Sequence, residues 1–259
     1  MKSWIKCIIA GAVIFVVGIG VIIGTLAFNG WSVKSPKFDM QTYTAEKDNN
    51  TIDITVGAGS VKTEFYDGEK ITIDYPSASM FESEISEDDG IFRYRSRVKR
   101  FWFLGAPSIP ETVIKLPKNI VFNLDFDVNA GSVSIAGGEY SAVKINVDAG
   151  KLTVNESVCE NFECEVNAGY LEAINLTCSK FDCEVSAGKL DVKKLDCPCI
   201  IADVSAGTLV MNVAGAKSDY EIRADVSAGS CNIGNQWGGN GKKLEVECSA
   251  GSIYVSFES

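Results

Sequence analysis

The 259-residue chain contains no histidine. That absence excludes His-based catalytic triads, Cys-His nucleophiles and histidine metal ligands together. Basic residues are also short, with 24 Lys and Arg against 34 Asp and Glu. The deficit is one-sided: all the acidic residues and 22 of the basic ones follow residue 30, which leaves that part at −12. So acidic a chain argues against nucleic acid as a general partner. The same acidity is a simple way to keep an elongated β-protein soluble.

One run lacks charge altogether. Residues 7–28, CIIAGAVIFVVGIGVIIGTLAF, are 22 uncharged residues. At about 1.5 Å per helical residue they span the roughly 30 Å hydrocarbon core of a bilayer. The competing reading is a cleaved signal peptide, but its apolar region is usually about 7–15 residues, and Thr25-Leu26-Ala27 is a poor cleavage site. Lys2 and Lys6 favour a cytoplasmic start, diluted by Lys34 and Lys37. The expectation is a single-pass plasma-membrane protein with an anchor at 1–30 and residues 31–259 outside the cytoplasm. Gly20 and Gly24 form one G-x-x-x-G through which two helices could pack as a homo-oligomer.

The rest of the chain repeats. Ala-Gly returns along it, at Gly59, Gly131, Gly150, Gly169, Gly188, Gly207, Gly229 and Gly251. The steps from Gly131 to Gly207 are identical, and the two that follow, to Gly229 and Gly251, are slightly longer. Apolar columns accompany the glycines: Leu124, Val143, Phe162, Phe181, Ile200, Ile222 and Leu244 stand seven residues before each, and Val128, Val147, Val166, Val185, Val204, Val226 and Cys248 three before. Two residues after it come Val133, Leu152, Leu171, Leu190, Leu209, Cys231 and Ile253. Alternation on both sides of the Gly means two strands with one buried face each. The inward phase slips by one at Ala-Gly, which predicts a corner there, with Gly allowing positive φ and close backbone approach and Ala pointing into the crowded inside.

A period near 20 with strands and no helical pattern predicts an all-β, single-stranded parallel β-solenoid of 19–22-residue coils, preceded by one transmembrane α-helix. The regular repeats occupy 124–259, and 31–123 form irregular N-terminal coils. Gly59 and Gly131 stand several periods apart, so coils between them are expected to be degenerate or interrupted. SEDDG at 86–90 is a turn signal.

The uncharged N-terminal run, ITVGAGSV at 54–61, DGIFRYR at 89–95, VIKLP at 113–117 and the tandem V-S-A-G-x-L-x-V units resemble the bacterial putative-adhesin family over roughly residues 40–259. The resemblance implies a β-solenoid, a surface-exposed binding role and a place in the bacterial cell envelope. Its motifs are structural and carry no catalytic residues.

Candidate chemistry competes with structural roles throughout. Acidic pairs abound without a local motif to single out a glycosidase pair, and pectin-degrading β-helices carry longer coils and loops than this sequence. Enzymatic activity, cofactor and metal are therefore not expected. Cys159, Cys178 and Cys197 follow the 19-residue period, as do Cys164 and Cys183. Stacked thiols could serve as buried hydrophobes, as disulfides or, through Cys-x4-Cys, as metal ligands. An outward column, Asp127, Asn146, Glu165, Glu184, Asp203, Asp225 and Glu247, stacks like charges that need relief. Lys151, Lys189, solvent or divalent cations are the possible sources.

One stretch reverses the acidic trend. RYRSRVKRFWF places Arg93, Arg95, Arg97, Lys99 and Arg100 before Phe101, Trp102 and Phe103. Such a basic-aromatic tip suits an anionic membrane surface, an acidic envelope polymer or a membrane-protein partner. Its competing role is to cap the solenoid while the arginines pair with acidic coils. Trp237, in the insertion GNQWGGNGKK at 234–243, joins the candidate interaction surface. The final SIYVSFES is expected to leave an uncapped strand edge, to be covered by a partner, by a second copy or by closure on Phe257. The sequence therefore reads as a membrane-anchored extracytoplasmic binding or scaffold module. The alternative is an accessory sensor of envelope stress acting through a membrane partner.

Overall fold

Period-two alternation of buried and exposed side chains runs through the strands of the regular coils. The structure is a computed structural model that describes residues 37–99 and 108–258. The 7–28 run lies outside the described residues; among those described, no helix is long and apolar enough to cross a membrane. The first strands are β1 (Asp39–Thr44), β2 (Thr51–Val56), β3 (Ser60–Tyr66), β4 (Thr72–Ser77), β5 (Phe81–Asp88), β6 (Ile91–Val98) and β7 (Thr112–Pro117). The regular part continues as β8 (Phe122–Val128), β9 (Ser132–Ile135), β10 (Gly138–Val147), β11 (Lys151–Val154), β12 (Ser157–Val166), β13 (Tyr170–Ala173), β14 (Leu176–Val185) and β15 (Lys189–Asp196). It ends with β16 (Cys199–Val204), β17 (Thr208–Ala214), a 3₁₀ turn at Lys217–Asp219, β18 (Tyr220–Val226), β19 (Ser230–Cys231), β20 (Lys242–Cys248) and β21 (Ser252–Glu258).

In the middle the coils stack in chain order as parallel, in-register strands. β10 pairs β8 and β12, β12 pairs β14, and β14 pairs β16; after each corner, β11 pairs β9 and β13, and β15 pairs β13 and β17. The columns read from sequence meet residue on residue, as in Phe162 on Phe181 and Val166 on Val185. The two phenyl rings stack with centroids 5.5 Å apart and planes 4° from parallel.

Each coil has one more corner than two strands and a bend require. In β12 the buried alternation runs from Ser157 to Cys159, breaks at residues 160–161, and resumes at Phe162. The ten-residue strands therefore serve two short faces each, and the four-residue strands after Ala-Gly form a third.

The ends depart from chain order. β20 lies between β16 and β18, and β21 lies between β17 and β19, so the last coil of the chain is the penultimate coil of the stack. The expectation that SIYVSFES forms the open edge is thereby corrected: β18 and β19 form it. At the other end β2 lies between β8 and β6, and β3 between β9 and β7. Gly59 and Gly131, several periods apart in sequence, are thus direct neighbours. No coil lies between them; of the intervening strands, β6 and β7 lie beyond β2 and β3, β5 runs antiparallel to β6, and β4 antiparallel to β7 and β1. The β5–β6 turn is Asp89-Gly90, both with positive φ (49° and 76°), as a two-residue type I′ hairpin requires.

Apolar content accounts for both exchanges of order. β2 offers Ile52, Ile54 and Val56, and β20 offers Leu244, Val246 and Cys248, all at most 2% exposed. The end coils are poorer: β6 places Ser96 in the column of Val56, and β19 places Cys231 in the column of Ile253. Coils with complete apolar columns gain most from being covered on both sides, so they are interior.

The glycine column is set by close approach. A Cβ on Gly188 would lie 2.6 Å from the carbonyl oxygen of Gly169 and 2.6 Å from Val166 Cγ1. The same clash recurs up the stack, and it confirms the exchange: Gly251 would meet Gly207, and Gly229 would meet Gly251. The alanines are not inside the corner as expected; Ala130, Ala149, Ala168, Ala187, Ala206, Ala228 and Ala250 are all exposed. Inward alternation ends at the valine two residues earlier, and the backbone turns outward there while its N–H keeps a bond to the preceding coil, as in Ala187 N–H to Asn167 O at 2.7 Å.

Candidate functional site

The face formed by the residues just before each Ala-Gly carries an acidic outward column. In stacking order its outward column reads Asp127, Asn146, Glu165, Glu184, Asp203, Glu247 and Asp225, each in direct register with the next. Adjacent strands are about 4.8 Å apart, so five successive carboxylates from Glu165 to Asp225 repel along one line. Lys151 and Lys189 do not relieve it. Both sit after the corner, on another face, flanking the Tyr170 ring at 5.5 and 5.6 Å, and Lys189 pairs with Asp191 at 3.4 Å.

The column ends beside a constructed feature. The 234–241 insertion folds back on β18, where Ile222 and Gln236 exchange both backbone hydrogen bonds at 2.9 Å. Asn235 Oδ1 accepts the Ala224 N–H at 2.7 Å, and Gln236 Nε2 donates to Lys217 O at 2.9 Å and Tyr220 O at 3.1 Å. Asn240 N–H bonds Asp219 O at 3.0 Å beyond the tip. The loop therefore blunts the β18 edge up to Ala224. Trp237, between these clamps, is nonetheless 76% exposed. It borders a groove of about 590 Å³ whose other walls include Asp203, Asp225, Glu245, Glu247 and Arg223. Arg223 is committed to Glu221 at 3.3 Å. None of the four groove carboxylates forms a salt bridge or accepts a side-chain hydrogen bond among the described residues.

Past Ala224 the edge is open. Val226 is 39% exposed, whereas its column mates Val185 and Val204 are fully buried. In the preceding coil Val204 O, Ser205 O and Gly207 O accept N–H bonds from Ser249, Ala250 and Ser252 at 3.0, 2.7 and 3.0 Å. The equivalent carbonyls of Val226, Ser227 and Gly229 accept no backbone bond among the described residues.

The basic stretch is found at the opposite end. Arg93 on β6 pairs with Asp53 at 3.1 Å, and Arg97 pairs with Glu82 across the β5–β6 hairpin. Arg95 is exposed and faces Glu84 in the hairpin register. Lys99 is exposed, while Arg100, Phe101, Trp102 and Phe103 lie outside the described residues. The structure thus puts Trp237 and the arginines at different ends of the stack. Asp203, Asp225 and Glu247 were legible as a column, whereas Glu245 was not singled out, and their meeting with Trp237 depends on the fold-back of the loop.

This arginine end is held by a carboxylate clasp. Glu87 accepts hydrogen bonds from Tyr43 Oη at 2.7 Å, Glu46 N at 2.9 Å, Lys47 N at 3.0 Å and Asn49 Nδ2 at 2.7 Å. Burial opposes its charge, but these four donors outweigh it and hold the carboxyl down at about 2. The hydrogen bond to Glu87 pushes the Tyr43 hydroxyl up to about 12.

The eight described cysteines are free thiols. Cys159 stacks on Cys178 and Cys164 on Cys183 in the core columns. Hydrogen bonding to Cys164, with burial, pushes the Cys183 thiol up; Cys159, Cys197 and burial do the same to Cys178. Both are neutral at neutral pH and so poor nucleophiles. Among the described residues no three cysteine or acidic side chains converge as a metal site.

The family model named Toastrack DUF4097 matches residues 36–258. The chain belongs to that family. Among solved structures, a putative adhesin from Parabacteroides distasonis aligns with a TM-score of 0.53 at 13% identity, covering 84% of this chain and 97% of its own. A second putative adhesin, from Parabacteroides merdae, aligns at 0.49 and 12%, covering 86% and 97%. No curated protein matches the sequence. The P. distasonis likeness supports the all-β fold; at so low an identity a Toastrack fold carries no site with it.

Proposed function

We propose that this Toastrack protein is an adhesin-like binding module of the bacterial cell envelope, without catalysis of its own. Its 7–28 run serves as a single membrane anchor, and the coil stack faces outward. The reading is carried by one observation: a clamped loop holds Trp237 76% exposed beside unpaired carboxylates at one end of the stack. Exposing a large aromatic gains nothing for folding, and such residues anchor interfaces. The uncharged run supports the anchor, and the likeness to the P. distasonis putative adhesin supports the role.

Photo-crosslinkers placed at Trp237 and at Trp102 in intact membranes test this. Capture of an envelope component at Trp237 is the expected result. Capture of a membrane protein solely through Trp102 would replace it with the accessory sensor reading. Cleavage of the coil stack by protease added outside intact cells checks the orientation.

A further inference from the structure

The open end of the stack is shaped for one more coil. We infer that β18, the corner at Ser227–Gly229 and the Trp237 groove together receive an extended peptide strand bearing a lysine, which completes the stack from outside. This rests on the binding-module reading and names its partner class.

Three independent features select such an occupant. The carbonyls of Val226, Ser227 and Gly229 need N–H donors, and in every regular coil those donors come from the next parallel strand. The half-exposed Val226 needs an apolar side chain over it, as Val185 has Val204. The residue just before that apolar one continues the outward column beyond Glu247 and Asp225. A lysine there ends the line of like charges, and the Trp237 face accepts its ammonium and aliphatic stem. One aromatic wall with several unpaired carboxylates suits a primary ammonium that donates hydrogen bonds. A quaternary ammonium instead calls for an aromatic cage. Gly229 adds a shape requirement: a following coil approaches so closely that its corner residue must be glycine, as Gly229 itself must be against Gly251.

The occupant therefore has the local pattern Lys, apolar, two small residues, Gly. The probe is the synthetic peptide TKVSAGTL, titrated calorimetrically into the full chain in lipid nanodiscs. Its comparison peptide, TEVSAGTL, differs only in Glu for Lys. Expected is binding of the first at least about tenfold tighter than the second, weakened about tenfold by Trp237→Ala and by Asp225→Asn. Asp127→Asn, distant in the same column, should leave it unchanged, and raised salt should weaken it. Equal affinity for both peptides, or indifference to Trp237→Ala, overturns the inference. A glucosamine tetramer is the second arm, since it carries ammonium groups but no peptide strand. Its binding in place of the peptide overturns the strand partner and leaves the binding-module reading intact. Binding of neither overturns the inference, and the crosslinking at Trp237 then decides separately whether the module binds anything.

Discussion

The middle coils and the two end coils of this protein stack through the same in-register parallel pairing, yet they obey different rules. From β8 to β17 each coil lies on its sequence neighbour, and its valine, glycine and phenylalanine columns are sealed on both sides. At each end the chain passes over one level and the vacant level is filled by a coil from elsewhere in sequence. Stacking order therefore follows how much apolar surface each coil has to cover, and chain order prevails only where the coils are equivalent. The ends also hold what the middle cannot show: open backbone, half-covered columns and an exposed tryptophan.

The largest expected difference between the regions lies in the core. Phe181→Ala, removing a fully buried ring stacked on Phe162, should cost about 3–5 kcal/mol. Val226→Ala at the open end should cost under about 1 kcal/mol. Denaturant titration of both variants checks this, and equal losses would mean the ends are as tightly covered as the middle. Glycine gives the next contrast. Gly188→Ala drives a Cβ into Gly169 and should cost about 1–3 kcal/mol, while Gly234→Ala meets nothing within 4 Å and should be neutral.

The ends can next be distinguished from each other. The Glu87 clasp makes the β1–β6 end acid-sensitive. Its carboxyl is depressed in the folded state, so its stabilisation is complete above the ordinary carboxylate range, near 4.3, and is lost as pH falls toward about 2. Tyr43, raised to about 12, adds stability that is complete below 10 and lost as pH rises through about 12. Glu87→Gln should flatten the acid limb of a melting-temperature profile, and an unchanged limb would place the acid-sensitive group elsewhere. The smallest effect belongs to the cap loop. Asn235→Ala removes the acceptor of the Ala224 N–H, worth about 0.5–1.5 kcal/mol. Faster hydrogen exchange confined to Ala224 and its neighbours is the expected readout; a global loss would show that the loop supports the whole stack.

The coil repeat is legible because period-two alternation and a glycine at fixed spacing are local properties, and every column from Leu124 to Ile253 can be read from them. The outward position of Ala is not, because alternation alone does not show where a strand stops facing inward. The second corner at residues 160–161 escapes a sequence reading because no glycine marks it. Trp237 is identifiable as an aromatic in an insertion; its neighbours are not, since Glu247 comes between Asp203 and Asp225 only once β20 has entered between β16 and β18.

Sequence alone thus determined the coil, its inward columns and the charge on its faces, because each depends on residues lying within one repeat of each other. Only the tertiary structure decided which coil lies on which, and hence which edge is open. In-register parallel coils present nearly the same backbone and the same columns to any neighbour, so their order is chosen by the competition for buried apolar surface along the whole stack.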